Sequence, residues 1–225
     1  IGGVPGVAPA NVVVIGGGVS GNSATTHLSK VKGVKVIAIY AHDFLEWTLG
    51  ATYFLTKPEE FDKFVSRDKK QIELPGVEYI YDVATSVRPD AKVVELKSGK
   101  TVAYDALVVG SGFKLPLLSR PLGCTYEERK AEVHAWGEAI GKAKTIVVNG
   151  AGATGLEMAA DAKLANPSAR VVVLTRSGKL MNDAYSAAMK DKFKAVLEKQ
   201  GIEIIKGKGG TEPLKEKGTT PDGLE

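Results

Sequence analysis

The chain has 225 residues, of which 44% are hydrophobic and 25% are charged, and its formal net charge is +4. These proportions are ordinary for a globular protein with a buried core, and the length suits one large domain or two small ones. A local cationic run of Arg67, Lys69 and Lys70 is interrupted by Asp68. Such a run is typical of a solvated face, so no nucleic-acid partner is expected.

Cysteine usage and apolar patterning exclude two further classes. Cys124 is the single cysteine, so neither an intramolecular disulfide framework nor an internal redox dithiol can form. No apolar run approaches the roughly 20 residues that a membrane-spanning helix needs. The first ten residues, IGGVPGVAPA, do not begin with Met and lack the charged region of a signal peptide. We therefore expect a trimmed N-terminus.

A β-α-β unit is predicted near the start of the chain. The apolar run at residues 12–15 ends in glycines and predicts a buried parallel strand. Residues 19–31 favour a helix that stops at Gly33, and the run VKVIAIY at 34–40 predicts a second strand. Two parallel strands joined in this way form a right-handed crossover.

The middle of the chain predicts one helix and a series of strands. A segment rich in aromatic residues, 41–62, overlaps a helix expected from about residue 58 to about residue 69. The expected strands, the last of them buried, are residues 77–81, 83–87, 91–96, 101–104 and 106–109. The middle three alternate like antiparallel strands, with a turn at Ser98-Gly99. Residues 113–122, which contain two prolines, are expected to be a linker.

The second half of the chain repeats the β-α-β pattern. The expected elements are a helix at 126–142, a strand at 145–148, a helix ending at about 165, a strand at 169–174, a helix at 185–199 and a strand at 201–205. From residue 207 the chain is polar and predicts a loop or frayed tail. The repeated unit is too long for a solenoid. It predicts an α/β protein with two Rossmann-like three-layer domains and a small antiparallel β insertion.

Two glycine turns carry the expected chemistry, each after a predicted strand and before a predicted helix. They consist of Gly16, Gly18 and Gly21, and of Gly150, Gly152 and Gly155. In such a turn the first glycine permits the tight bend, the second lets the backbone approach a pyrophosphate, and the third lets the helix pack on the strand. The N–H groups of the helix N-terminus then face the phosphates. The alternative is a tight turn without a ligand.

An acidic residue is expected about 20 positions after each turn, where it binds a ribose hydroxyl. After the first turn Tyr40 ends the strand instead, and a phenol binds a ribose more weakly than a carboxylate does. After the second turn the strand ends in Thr175-Arg176. A guanidinium there suits the 2′-phosphate of NADPH, or else Arg176 is a surface cation. Glu157, on the second helix, is either functional or an exposed carboxylate that the helix dipole favours.

These features resemble the two-dinucleotide-fold flavoprotein oxidoreductases, the pyridine nucleotide-disulfide oxidoreductase superfamily. The resemblance implies an FAD-binding domain at residues 1–118 and an NAD(P)-binding domain at residues 119–225. The positions that it implies for FAD are Gly16, Gly18, Gly21, Tyr40, Ala84 with its neighbour Val83, and the turn Gly110, Ser111 and Gly112. The positions that it implies for NADPH or NADH are Gly150, Gly152, Gly155, Glu157, Thr175 and Arg176, with Glu157 near the nicotinamide.

One branch of that superfamily is most similar. The stretch HDFLEWTLGATYFLTKPEEF resembles the apoptosis-inducing-factor-like proteins, including the ferroptosis-suppressor type, and the type II NADH dehydrogenases. These lack the redox cysteine pair of the disulfide reductases, as this chain does. The resemblance implies hydride transfer from NAD(P)H to FAD and then to a small-molecule acceptor such as a quinone. It implies no catalytic nucleophile and no metal.

Two departures from the family pattern leave an alternative open. Tyr40 stands where relatives carry an acidic residue, and the sequence ends before the Gly-Asp return motif and the C-terminal interface domain of the family. We therefore expect a fragment or a truncated relative. The alternative is a non-catalytic relative that serves as an accessory subunit of a larger assembly. Peripheral membrane association is expected only through the missing C-terminal part, and the expected compartment is the cytoplasm or the mitochondrion.

Overall fold

A computed structural model describes residues 10–115 and 117–207 of the chain. The described strands are β1 (Ala10–Ile15), β2 (Val34–Tyr40), β3 (Leu45–Glu46), β4 (Val65–Ser66), β5 (Glu78–Tyr81), β6 (Ala84–Arg88), β7 (Val93–Leu96), β8 (Thr101–Ala103), β9 (Ala106–Val109), β10 (Thr145–Asn149), β11 (Arg170–Thr175) and β12 (Ile202–Lys206). The described α-helices are α1 (Val19–Leu28), α2 (Ala51–Thr56), α3 (Lys69–Ile72), α4 (Tyr126–Lys142), α5 (Ala153–Ala165) and α6 (Ala187–Lys199). The α/β class predicted from the sequence is confirmed.

The first sheet has the strand order β5-β2-β1-β9, and all its pairs are parallel. β1 is central because it is apolar on both faces: Val13 and Val14 are fully buried. Since parallel strands end at the same edge, the loops that follow β1, β2 and β9 meet there. That edge carries the first glycine turn.

The antiparallel insertion predicted between β5 and β9 is confirmed as the sheet β6-β7-β8. Gly99 occupies its tight turn with a φ of +85°, a conformation that favours glycine. The insertion covers one face of the first sheet, because Val94 and Leu96 pack in one apolar cluster with Val13 and Ile39.

The second parallel sheet has the strand order β10-β11-β12. Its central strand, β11, buries Val171 and Val173 against Leu156 and Ala159 of α5. The ends of the expected helix at residues 126–142 are confirmed as Tyr126–Lys142. The repeat of a strand, a glycine turn, a helix and a parallel strand therefore forms a second Rossmann-like unit.

The helix expected at residues 58–69 is wrong. The chain instead forms a 3₁₀ helix at Pro58–Phe64, the strand β4 and the short helix α3. The strand interrupts the pattern because it pairs antiparallel with β3, a contact that a local pattern does not contain. The helix α2 just before it was not predicted from its sequence.

The interpretation of β9 as a buried strand also needs correction. Val109 is 63% exposed and Ala106 is exposed, because β9 lies at the edge of the described sheet.

Two helices are shorter than expected. α1 ends at Leu28, and α6 begins after Ser186, whose side chain accepts a hydrogen bond from the Met189 N–H.

Close contacts divide the chain into two compact units. One contains the described residues up to Thr48 together with Asp62–Ala131, and the other contains Leu49–Phe61 together with the described residues from Glu132. Residues of the expected linker at 113–122 therefore fall in the first unit. The expected assignment of 1–118 to FAD and of 119–225 to NAD(P) stays a prediction.

Candidate functional site

The first glycine turn is a tight junction between β1 and α1. Gly16 has a φ of +108°, which lies in the region that favours glycine. Its N–H donates to the carbonyl of Ile39 at 2.9 Å and so ties the turn to β2. A Cβ atom on Gly16 would lie 2.3 Å from the carbonyl oxygen of Gly110. The loop after β9 therefore packs directly on this turn.

Gly18 and Gly21 differ in what surrounds them. A Cβ atom on Gly21 would lie 1.8 Å from the carbonyl oxygen of Gly16, so only glycine lets α1 pack this closely. A Cβ atom on Gly18 would meet no atom of the described chain within 4 Å. Gly18 is also the N-cap of α1 and has no side chain to cover the first N–H groups of the helix. Exposed N–H groups at a helix N-terminus suit a phosphate.

The loop after β9 completes the same junction. A Cβ atom on Gly110 would lie 2.9 Å from both the N and the Cα of Gly21. The backbone nitrogen of Ser111 lies 3.0 Å from the position that a Gly16 Cβ would take, and Gly112 has a φ of +72°. The structure thus brings together backbone segments that the sequence placed at one binding turn. Their contact with FAD stays a prediction.

Tyr40 is part of the fold at this edge. The residue is 2% exposed, and its hydroxyl donates to Oδ1 of Asn22 at 3.0 Å and lies 3.3 Å from Oγ1 of Thr25. Burial raises the pKa of Tyr40, so the phenol is neutral at physiological pH. A Cβ atom on Gly17 would lie 2.7 Å from the ring. The phenol therefore holds α1 against β2, and its expected contact with a ribose stays a prediction.

His42, just beyond β2, is held as a neutral ring. Its Nε2 donates to the carbonyl of Pro121 at 2.9 Å, and its Nδ1 accepts from Nε of Arg120 at 3.1 Å. Burial, and then the charge of Arg120, lower the pKa of His42 to about 4. Both ring nitrogens are used within the chain, so His42 holds the loop in place and is not suited to proton transfer.

Sequence reasoning missed a buried ion pair in the first unit. The side chains of Glu46 and Arg129 are both 0% exposed. Nε of Arg129 donates to one carboxylate oxygen of Glu46 at 3.0 Å, and an Nη atom donates to the other at 3.4 Å and to the carbonyl of Leu118 at 3.3 Å. The pair joins β3 to α4. No local pattern indicates it, because the two residues are 83 positions apart.

A cavity of about 230 Å³ opens beside the first glycine turn. Its lining includes Gly17 and Gly18 of the turn, Val19 of α1, and Trp47, which directly follows β3. A pyrophosphate would approach the turn at Gly18. Because Gly18 also lines this cavity, the cavity overlaps the predicted dinucleotide site.

The predicted adenine contact lies at the start of β6. The N–H of Val83 donates to the Asp82 carboxylate at 2.7 Å, and its carbonyl accepts from the N–H of Lys97 at 2.8 Å. Both backbone groups of Val83 are thus bonded within the chain, and the adenine contact at Val83 and Ala84 stays a prediction.

The second glycine turn repeats the geometry of the first. Gly150 has a φ of +117° and donates its N–H to the carbonyl of Leu174 at 2.9 Å. A Cβ atom on Gly155 would lie 2.1 Å from the carbonyl oxygen of Gly150. Gly152 is the N-cap of α5, and a Cβ there would meet nothing within 4 Å in the part of the chain that the structure describes. This turn also offers open N–H groups to a phosphate.

The other residues predicted to bind NAD(P) differ in accessibility. Thr175 is 5% exposed, and its hydroxyl donates to the carbonyl of Lys179 at 3.0 Å, so it closes the turn after β11. Arg176 is exposed at that turn, beside the Ser177 hydroxyl that accepts from the Lys179 N–H. Glu157 is exposed on α5. The roles of these residues in binding stay predictions.

Two parallel-sheet units, each with a glycine turn that opens a helix, define a two-domain dinucleotide-binding protein. The chain belongs to the pyridine nucleotide-disulphide oxidoreductase family, which it matches over residues 10–221. The family expected from the sequence is thus confirmed.

Similar proteins include members of the expected branch. The oxidoreductase ptaL of Pestalotiopsis fici is 27% identical over 230 residues, which are 95% of this chain and 60% of that protein. Apoptosis-inducing factor 1 of Saccharomyces cerevisiae is 27% identical over 206 residues, which are 86% of this chain and 53% of that protein. The chain therefore spans little more than half the length of these curated relatives.

A solved structure supports the fold over nearly the whole chain. The ferredoxin reductase for the CYP199A2 system of Rhodopseudomonas palustris superposes with a TM-score of 0.70 at 21% identity. The likeness covers 92% of this chain and 52% of the reductase.

The described residues contain neither a membrane-spanning helix nor a metal-binding cluster. None of the described helices has the length and apolar character required to cross a membrane. No group of three or more His, Cys, Asp or Glu side chains within residues 10–115 and 117–207 is placed to hold a metal ion.

Proposed function

We propose that this chain is the dinucleotide-binding part of an FAD-dependent NAD(P)H oxidoreductase, with FAD at the first glycine turn and NAD(P)H at the second. The duplicated turn carries this proposal. In each copy the first glycine has a positive φ, the middle glycine opens onto free space in the described chain, and the third abuts the carbonyl of the first. Bound flavin supplies hydride acceptance and electron transfer to an acceptor such as a quinone.

The contribution of the chain to that chemistry is binding and orientation. The N-termini of α1 and α5 begin at glycine N-caps, which leave backbone N–H groups open to an anion. The positive end of each helix dipole adds an attraction for phosphate. Two such sites in one chain suit two dinucleotides, since each glycine turn binds one pyrophosphate.

The exposed guanidinium of Arg176 supports a preference for NADPH. It follows β11 directly, at the position where an acidic residue would otherwise bind the ribose and repel a 2′-phosphate. We expect an Arg176→Ala variant to lose affinity for NADPH by about 10- to 100-fold while affinity for NADH changes little. The measurement is anaerobic bleaching of the bound flavin by each nucleotide. Equal losses with both nucleotides would show that Arg176 is only a surface cation.

The central test uses the full-length protein that contains this chain. Its visible spectrum after purification, and after FAD is added to the apoprotein, shows whether flavin binds. Flavin bands that bleach on addition of NAD(P)H support the oxidoreductase.

A second candidate function is a non-catalytic accessory subunit, and one observation favours it. Tyr40, which ends the strand where an acidic residue is expected, is buried against α1, and its hydroxyl donates to Oδ1 of Asn22. A phenol used in this way offers less to the FAD ribose than a free carboxylate would. A full-length protein that takes up no flavin even at high FAD concentration would support this second candidate.

A further inference from the structure

Large apolar side chains are left uncovered beside the first glycine turn. Trp47 and Val19 are 49% and 59% exposed, and both line the cavity that also contains Gly17 and Gly18. The cavity volume of about 230 Å³ is below the roughly 300–1,000 Å³ of a complete small-molecule pocket. A space of this size and lining suits one aromatic ring of a larger ligand better than a whole ligand.

The backbone of Trp47 is held against the chain at the start of β4. Its N–H donates to the carbonyl of Phe64 at 2.8 Å, and the preceding residue, Glu46, pairs with Val65 across β3 and β4. The Glu46 carboxylate is in turn held by two hydrogen bonds from Arg129.

The ion pair between Glu46 and Arg129 acts mainly by positioning β3, and it adds little net stability. A buried ion pair is a weak source of net stability because both charges lose their hydration. It does, however, fix β3, the strand that directly precedes Trp47. Trp47 is half-exposed on a fixed backbone. It therefore loses little conformational freedom when its indole stacks on an aromatic ring of a ligand.

We propose that Trp47 forms a stacking wall of the first dinucleotide site, where its indole packs against an aromatic ring of bound FAD. This inference rests on the proposed function, since it assigns FAD to the first turn. FAD has two aromatic rings joined through its pyrophosphate, and Trp47 lies in the same cavity as Gly18, where that pyrophosphate would approach. Stacking on an aromatic side chain tolerates either ring, because each has a π face.

The test compares FAD dissociation constants in the full-length protein. We expect Trp47→Ala to weaken FAD binding by about 5- to 150-fold, the range for loss of one stacked ring. Trp47→Phe keeps a ring and should lose less. The matched control is Trp136→Phe, which changes the other tryptophan of this chain, 38% exposed on α4, and should leave FAD affinity unchanged.

Titration with ADP identifies the ring, because ADP carries adenine without a flavin. An equal loss of ADP and FAD affinity in Trp47→Ala places the indole on the adenine, and a loss with FAD alone places it on the flavin. Thermal unfolding without ligand checks the fold of each variant. Trp47→Leu, which removes the ring but keeps an apolar side chain, replaces the alanine variant if that variant does not fold.

Two results overturn the inference and differ in what else they affect. If the unaltered protein binds FAD and both Trp47 variants bind it with the same affinity, stacking is refuted while the proposed function stands. If the unaltered protein binds no FAD, both are refuted.

Discussion

Among single residues, Tyr40 and His42 show how the loop edge of the first sheet is held together. The phenol of Tyr40 is bonded to Asn22 and lies close to Thr25 of α1, and the imidazole of His42 joins Arg120 to the carbonyl of Pro121. Tyr40 is the last residue of β2, and His42 lies two positions beyond it. Both side chains therefore stabilise the shape of this edge.

The lowered pKa of His42 predicts a pH dependence of stability. Its pKa falls from 6.5 to about 4 on folding, so between these values the unfolded chain binds a proton that the folded chain does not. The free energy of unfolding should therefore fall as the pH is lowered through this window. We expect the free energy of unfolding to fall by about 1 kcal/mol more in the unaltered protein than in His42→Gln. This figure is reduced because the ring is partly exposed to solvent.

Urea unfolding at a series of pH values measures this difference. The variant serves as the control for carboxyl groups, which titrate in both proteins. Parallel pH curves for the two proteins would contradict a neutral, buried His42.

At the scale of elements, the same junction of strand, glycine turn and helix occurs between β1 and α1 and again between β10 and α5. The first glycines have φ values of +108° and +117°. A Cβ on the third glycine would lie 1.8 Å or 2.1 Å from the carbonyl of the first. Because the same positive φ and the same close approach recur in both units, the glycine spacing is a requirement of packing.

Alanine substitutions should separate the packing glycine from the open one within one turn. Gly21→Ala places a methyl group against backbone that cannot move aside, and we expect it to lower the free energy of unfolding by about 3 kcal/mol. Gly18 has a φ of −83° and open surroundings in the described chain, so Gly18→Ala should change stability by less than about 0.5 kcal/mol. Denaturant unfolding of the two variants without ligand is the measurement, and similar losses in both would refute this division of roles.

Elements with a strong local pattern were predicted well, and those made by distant contacts were not. The helix Tyr126–Lys142 and the strand Val34–Tyr40 have the predicted ends, since their periodicity is a property of consecutive residues. The helix expected at 58–69 was wrong because Val65–Ser66 pairs with Leu45–Glu46. That pairing depends on a segment about 20 residues earlier, which no window of local propensity includes.

At the scale of the whole molecule, each compact unit contains one complete glycine turn. Gly16 and Gly110, which meet at the first turn, belong to one unit, and Gly150 and Leu174 belong to the other. Each unit therefore has its own glycine turn, which we propose as a backbone site for one pyrophosphate. This arrangement predicts that the two sites can be disabled separately.

Ligand-induced stabilisation of the full-length protein tests that separation. At 100 times its dissociation constant a ligand adds about 2.7 kcal/mol of stability, which raises the unfolding temperature by several degrees. FAD should give this rise in Gly152→Ala and not in Gly18→Ala, because an added methyl group at the middle glycine occupies the space of the pyrophosphate. NADPH should give the opposite pattern. A rise with both ligands in both variants would show that the middle glycines do not contact pyrophosphate.

The sequence by itself determined the α/β class, the two glycine turns and most strands and helices, because these depend on residue types at short, regular spacings. The tertiary structure alone decided which distant groups meet. It placed Gly110 against Gly21, paired Glu46 with Arg129, and turned the hydroxyl of Tyr40 into the fold. The physical reason is that burial and hydrogen bonding are set by neighbours in space. For the same reason, the turn in NVVVIGGGVSGNSA could be predicted from residue types alone, whereas the position of Trp47 beside it is set by the folded chain.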